Sequence, residues 1–410
     1  MANENYFFLR PEVAELVSAT LAAGLHSRLF RTFLSPGLDP FETMDREEDL
    51  LAAAREGLSG AVEWLFYAMK HAPEPGDAQL FQRVCAEAAS GGHIDVLRFL
   101  RENGCPWDED TCARASGNGH LECLRWARQN GCPWDGLTLH NAAENGHLDC
   151  LKWARQNGFE CTSIYDLCGT AAQNGQLECL QWARQNGCPW DRRTCALAAC
   201  GGHLECLRWA RDNACPWNEI TCALAARSGS LECLRWAREN GCPWNEDVCA
   251  WAASAGKLEC LRWSRENGCP WNETTCTNAV KNGHSDCLKW ARQNGCPWDR
   301  FTCACAARGG HLHCLRWARD NGCPWDARTC AWAAKNGHLD CLRWARDNGC
   351  PWDEYTCALA AYNGHLHCLR WARDNGCPWD ARTCAWAAGA GKLDCLEWAR
   401  DNGCPEGPVR

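Results

Sequence analysis

The chain has 410 residues, with 36 cysteines, 25 tryptophans and a net charge of −9. Hydrophobic residues at 46% and charged residues at 23% belong to a folded chain, which excludes wholesale disorder. No stretch approaches the roughly 18 uncharged apolar residues of a membrane span. No basic block offers a nucleic-acid footprint, and Met1 to Phe8 lack the basic flank and apolar core of a secretory signal, so a cytoplasmic location is expected.

In chain order, Arg10 to Leu21 reads as an amphipathic helix and Leu25 to Leu34 as a second, with Ser35-Pro36-Gly37-Leu38-Asp39-Pro40 a loop. Residues 1–48 are expected to form a helical cap on the remainder of the chain. Leu9, Pro11, Glu12 and Val13, followed by Leu16, Val17 and Leu21, are also similar to the opening of an F-box. That resemblance would imply the substrate receptor of an SCF-type ubiquitin ligase. The later part of the motif is not recognisable.

Residues 49–410 form an array. After a degenerate copy at Leu50 to Leu65, twelve glycines fall in register: Gly92, Gly119, Gly146, Gly175, Gly202, Gly229, Gly256, Gly283, Gly310, Gly337, Gly364 and Gly391. Ten of the eleven intervals are 27 residues; that from Gly146 to Gly175 is 29. In the latter, Phe159 to Tyr165 replace a Cys-Pro-Trp-Asp connection, which predicts a local change in stacking. Three positions, seven before and four and thirteen after each framing glycine, hold 33 of the 36 cysteines. Two more, seven and fifteen after it, hold 21 of the 25 tryptophans.

Each unit predicts two short helices. Leu339, Leu342 and Ala345 share one face at helical spacing, widened by Cys341 and Trp344. Asn348-Gly349 with Pro351 ends that helix, and Asp353 caps the next, which runs through Thr356 to Ala361 and stops at Asn363-Gly364. Two-helix units at a fixed period bury their faces only against neighbours, so the fold class is an all-α solenoid of about thirteen repeats.

Leu139-His140-Asn141-Ala142-Ala143-Glu144-Asn145-Gly146-His147 resembles the ankyrin signature, and Leu148 to Trp153 with Asn157-Gly158 resembles its second helix and stop. The usual ankyrin period is 33 residues. The six missing here fall between Asp353 and Cys357, where ankyrins carry a β-hairpin finger. Such finger-less arrays resemble those of giant DNA viruses and marine protists, which would imply host cytoplasm if viral. The resemblance implies a non-enzymatic scaffold that binds a protein partner through the concave face of its first helices.

The lattice residues read as architecture. Cysteine spacings of C-x6-C, C-x8-C and C-x10-C do not suit zinc, and equivalent positions about 9–10 Å apart are too far for bridges. Cysteine is therefore expected as small buried filler, with a thiol-rich metal store the competing class. The tryptophan before the cap, such as Trp352, is expected to staple onto Cys357. Arginine stands nine after every framing glycine, where it suits a helix C-terminus. Histidine follows eight of those glycines as a turn residue. No catalytic motif or cofactor loop is present, so neither enzyme activity nor a cofactor is expected.

Variation concentrates nine, five and two residues before each framing glycine, on one face of the first helix. Early units carry Arg83, Asp110, Arg114, Asp166 and Gln173 there. Later ones carry Ile220, Leu224, Trp251, Phe301, Trp332, Tyr355, Leu359, Tyr362 and Trp386, with Arg227, Lys281, Arg308 and Lys335 between them. Aromatics beside basic residues are typical of interface anchors, so these nine are the candidate partner-binding residues. The position five before the glycine equally suits packing between repeats, which leaves Trp251, Trp332 and Trp386 with two readings. The expected partner is a protein, not nucleic acid or membrane, bound by a monomer. Off-lattice Cys161, Cys200 and Cys305 are the thiols whose exposure is open; Cys161 and Cys200 are expected to be the more exposed.

Overall fold

A computed structural model describes residues 46–71, 77–159 and 166–405. The F-box-like segment, Cys161 and most of the two-residue insertion lie outside the described residues. Those described form 26 α-helices and no strand, as an all-α repeat fold requires. None of these helices is long and apolar enough to cross a membrane. Contacts divide the chain into two compact units, residues 1–190 and 191–410.

Both units repeat one helical hairpin. In the second unit a first helix, Ala327–Lys335, turns through Asn336-Gly337-His338 into a second, Leu339–Asp347. Gly337 takes the left-handed conformation, φ 76°, which lets its own N–H reach the Ala334 carbonyl and the His338 N–H reach that of Ala333. A side chain would not fit: a Cβ on Gly337 would stand 2.8 Å from the His365 imidazole of the next repeat. Asp353 then starts the following helix, Glu354–Tyr362, its carboxylate accepting the Tyr355 N–H. The predicted boundaries agree with these to within a few residues.

The small residues of the first helix explain the stacking. Thr356, Cys357, Ala358, Ala360 and Ala361 are all fully buried, so successive first helices pack along their length. Second helices carry arginine and tryptophan between them and touch only at their edges. In each unit the row therefore curves towards its first helices.

The cysteines fill this core. Among the described residues none of the 35 is in a disulfide, and all but half-buried Cys200 are buried. The cysteine seven before a framing glycine pairs with the one thirteen after it. Cys242 hydrogen-bonds with Cys222 and donates its Sγ–H to the Asn218 carbonyl at 3.3 Å. That pairing, and burial, raise the Cys242 thiol well above its ordinary range. Burial, helped by an adjacent glutamate, pushes Cys206 and Cys233 to about 11. Cys305, off the lattice, is buried too. Such thiols are packing groups.

Tryptophan makes contacts that reach beyond the repeat that carries it. Trp352 meets the edge of Trp371 from the next repeat at 6.0 Å, and the Arg346 guanidinium lies over it at 4.4 Å. Its indole finds its partners on the second-helix side. Arg346 also donates to the Cys350 carbonyl, so the arginine column closes helix C-termini, as its position predicts. The histidines do more than turn the chain. His93 Nε2 bonds the Arg55 carbonyl of the preceding repeat at 3.0 Å, and Gln176 Nε2 donates to that of Glu144 in the same way.

Candidate protein-binding face

Apart from the shifted helix Leu167–Gln173, the three variable positions of each first helix share one helical face, mostly exposed or half-buried, on the inner side of each unit. In the second unit the position nine before the framing glycine reads Arg193, Ile220, Asp247, Thr274, Phe301, Arg328, Tyr355 and Arg382. From Phe301 onward, ring and guanidinium alternate. The Arg328 guanidinium lies 4.6 Å from the centre of Phe301, and that of Arg382 lies 4.2 Å from Tyr355. Arg328 and Arg300 both approach the Asp326 carboxylate, at 3.2 and 3.6 Å. Arg382 bridges Asp380 at 2.6 Å and Glu354 at 2.9 Å. The hydrogen bond from Arg382 holds the Asp380 carboxyl below its usual range, while burial raises that of Asp353.

The structure brings most of the nine predicted residues together in two clusters. Phe301 and Trp332 stack tilted at 6.3 Å, with Arg308 5.8 Å from Trp332. Tyr355 and Tyr362 both contact Trp386, at 6.1 and 6.2 Å. Between the clusters Trp332, Tyr355 and Leu359 help line a hollow of about 390 Å³, completed by Asp326, Ala327, Arg328, Ala331 and Asp353. Tyr355 and Tyr362 are 44% and 48% exposed. The two readings of the central tryptophans converge: Trp332 and Trp386 pack across repeats and remain half-buried, so each offers one face.

Ile220, Leu224 and Trp251 stand apart. Ile220 is 39% exposed and the other two are half-buried, but no ring contact ties them to Phe301. The helix between, Glu273–Lys281, presents Thr274, Asn278 and Lys281 at the three inner positions and interrupts the apolar surface. Arg328 and Arg382 were not among the predicted residues, although Phe301, Arg328, Tyr355 and Arg382 alternate at one lattice position. In the first unit Asp166 is not an inner-face residue. Its carboxylate accepts the Gly169 N–H at 2.8 Å and caps a shortened helix, Leu167–Gln173, because the long interval shifts the register.

No group of three or more His, Cys, Asp or Glu side chains among the described residues is arranged to hold a metal ion. The ankyrin repeats (many copies) family model matches residues 110–154, 139–184, 249–292 and 330–373. Among solved structures the chain is similar to the human ASB11 ankyrin repeat domain. Identity is 18% and the TM-score 0.36, over 46% of this chain and 99% of that one. No curated protein matches. The chain carries ankyrin repeats over the matched residues, and repeats of this kind imply a protein–protein interaction scaffold.

Proposed function

We propose that the protein is a non-enzymatic scaffold whose partner protein docks on the inner face of the second unit, over Phe301, Trp332, Tyr355, Leu359, Tyr362 and Trp386. The observation that carries this is the pair of half-exposed tyrosines against Trp386, beside a hollow of about 390 Å³ on the same helices. Rings held in place by neighbouring rings and guanidinium groups lose little freedom on binding, which is what an interface anchor needs. Ile220, Leu224 and Trp251 form the outlying end of the same face.

The test is affinity capture with mass spectrometry, using the full chain and a variant carrying Phe301→Ala, Tyr355→Ala and Tyr362→Ala. Specific partners are expected to drop out with the variant, while its helical circular dichroism is unchanged. A partner retained at full yield by that variant would place the docking site elsewhere.

A further inference from the structure

Lys281, Arg308 and Lys335 occupy the position two before the glycine in three successive repeats, at the end of the first helices on the inner face. All three side chains are exposed, and none is in an ion pair among the described residues. Two of their backbones are held: the Lys281 carbonyl accepts from His311 of the next repeat, and that of Lys335 from His365. The carboxylates on these helices, Glu273 with the capping Asp299 and Asp326, stand at the opposite ends. Eight or nine residues of helix put them about 12–13 Å away, beyond a Debye length of about 8 Å at physiological salt. Asp326 is moreover engaged by Arg300 and Arg328. On a molecule of net charge −9 this is a strip of cations without an ion-pair partner among the described residues, and it runs beside Trp332 and towards Tyr362.

The spacing of the strip selects the form of its ligand. Packed helices lie about 8–10 Å apart, so successive cations repeat at that interval. A polyproline II segment advances about 3.1 Å per residue with three residues per turn, so every third side chain returns to one edge after about 9 Å. Extended proline-rich segments also dock readily on aromatic-lined grooves. We infer that the partner presents an extended acidic segment with a carboxylate at every third residue, one each for Lys281, Arg308 and Lys335. This rests on the inner face of the second unit being the docking site, and specifies the chemistry that it accepts.

The probe is a fluorescein-labelled peptide of repeated Glu-Pro-Pro, read by anisotropy against the full chain at low and physiological salt. Its controls are a peptide of equal composition with the glutamates in one block, and a single-stranded oligonucleotide. Binding of the repeated peptide, weakened on the order of tenfold by combined Lys281→Gln, Arg308→Gln and Lys335→Gln and by the blocked arrangement, is expected from three exposed ion pairs in register. The inference is overturned if the repeated peptide does not bind, if the three substitutions leave its affinity unchanged, or if the blocked peptide or the oligonucleotide binds as well. Captured partners separate the two levels. If they are lost with the aromatic variant but kept by the lysine and arginine variant, the face is right and the acidic segment wrong. If both variants keep them, the face itself is wrong.

Discussion

The inner faces of the two units are built on one framework and finished differently. In the first unit, charge is neutralised within the face. Glu87, 7% exposed, takes Arg55 at 2.6 Å and Arg114 at 2.8 Å, and Arg114 also holds Asp110 at 2.7 Å. Arg83 pairs with Glu47, and Gln82 donates to Asp108. Burial alone would raise the Glu87 carboxyl, but its two arginines hold it below the usual range. In the second unit the same positions carry rings, half in water, among which only Arg328 and Arg382 are ion-paired, and two before the glycine runs a row of cations with no ion-pair partner among the described residues. A face that satisfies its own polar groups has little left to offer a ligand. A face that leaves anchors exposed gives up some of that internal satisfaction and gains a surface that a partner can desolvate.

If the difference is confined to the inner face, the cores must respond alike. Leu124 in the first unit and Leu234 in the second occupy one lattice position, both fully buried. Replacing either by alanine is expected to cost about 2–5 kcal/mol, with the two values close to each other in urea unfolding. A large disparity would mean that the units differ in their packing and not only in their decoration.

The inner faces themselves should respond in opposite ways. Combined Arg55→Ala and Arg114→Ala leaves the Glu87 carboxylate buried without a cation. Because both arginines are about half in water, the expected loss is about 1–2 kcal/mol and not the larger penalty of a fully enclosed pair. Tyr355→Ala with Tyr362→Ala removes half-exposed rings and is expected to cost less in stability, while removing partner binding. Equal costs for the two pairs would erase the distinction between a closed and an open face.

The histidine column predicts a pH dependence shared by both units. An imidazole titrates near 6.5 in the unfolded chain, and burial holds His120, His311 and His365 below that in the fold. The groups facing them add cations: His93 and His147 for His120, His284, His313 and His338 for His311, and His338, His367 and Lys392 for His365. As pH falls through 6.5 the unfolded chain takes up protons first. Stability from these sites is thus complete above 6.5 and is lost below it. Gln176 makes the same contact to the preceding repeat without titrating, so His120→Gln, His311→Gln and His365→Gln should flatten the decline in melting temperature between pH 7 and 5. A decline of undiminished slope would assign it to other groups.

Each feature was legible in the sequence to the extent that its physics is local. Helix ends were legible because Asn-Gly stops and Asp caps are local devices, seen again at Gly337 and Asp353. The burial of the cysteines was legible from their spacing. What was not legible is pairwise and lies between repeats: which thiol meets which, and that Trp352 meets Trp371. On the candidate face, periodicity singled out the rings, but that Arg328 and Arg382 brace them depends on distances across neighbouring helices. Nothing in a single repeat encodes those.

The smallest effect tests the framework at one atom. Twelve residues after the framing glycine the chain needs a left-handed residue. Gly131 supplies it in the first unit at φ 86°, whereas Ala214 in the second is held there at φ 64°. A Cβ at Gly131 would meet nothing within 4 Å, so conformation alone sets the cost. The left-handed penalty for alanine is about 1–2 kcal/mol, partly offset because glycine has more freedom to lose on folding. Ala214→Gly should therefore stabilise by about 0.5–1 kcal/mol, and Gly131→Ala should destabilise by a similar amount. Thermal melts of the two single variants and of the double would show it, the double returning close to the parent. A gain at 214 without the matching loss at 131 would show that the two turns, alike in sequence position and in backbone, are supported differently by the units that contain them.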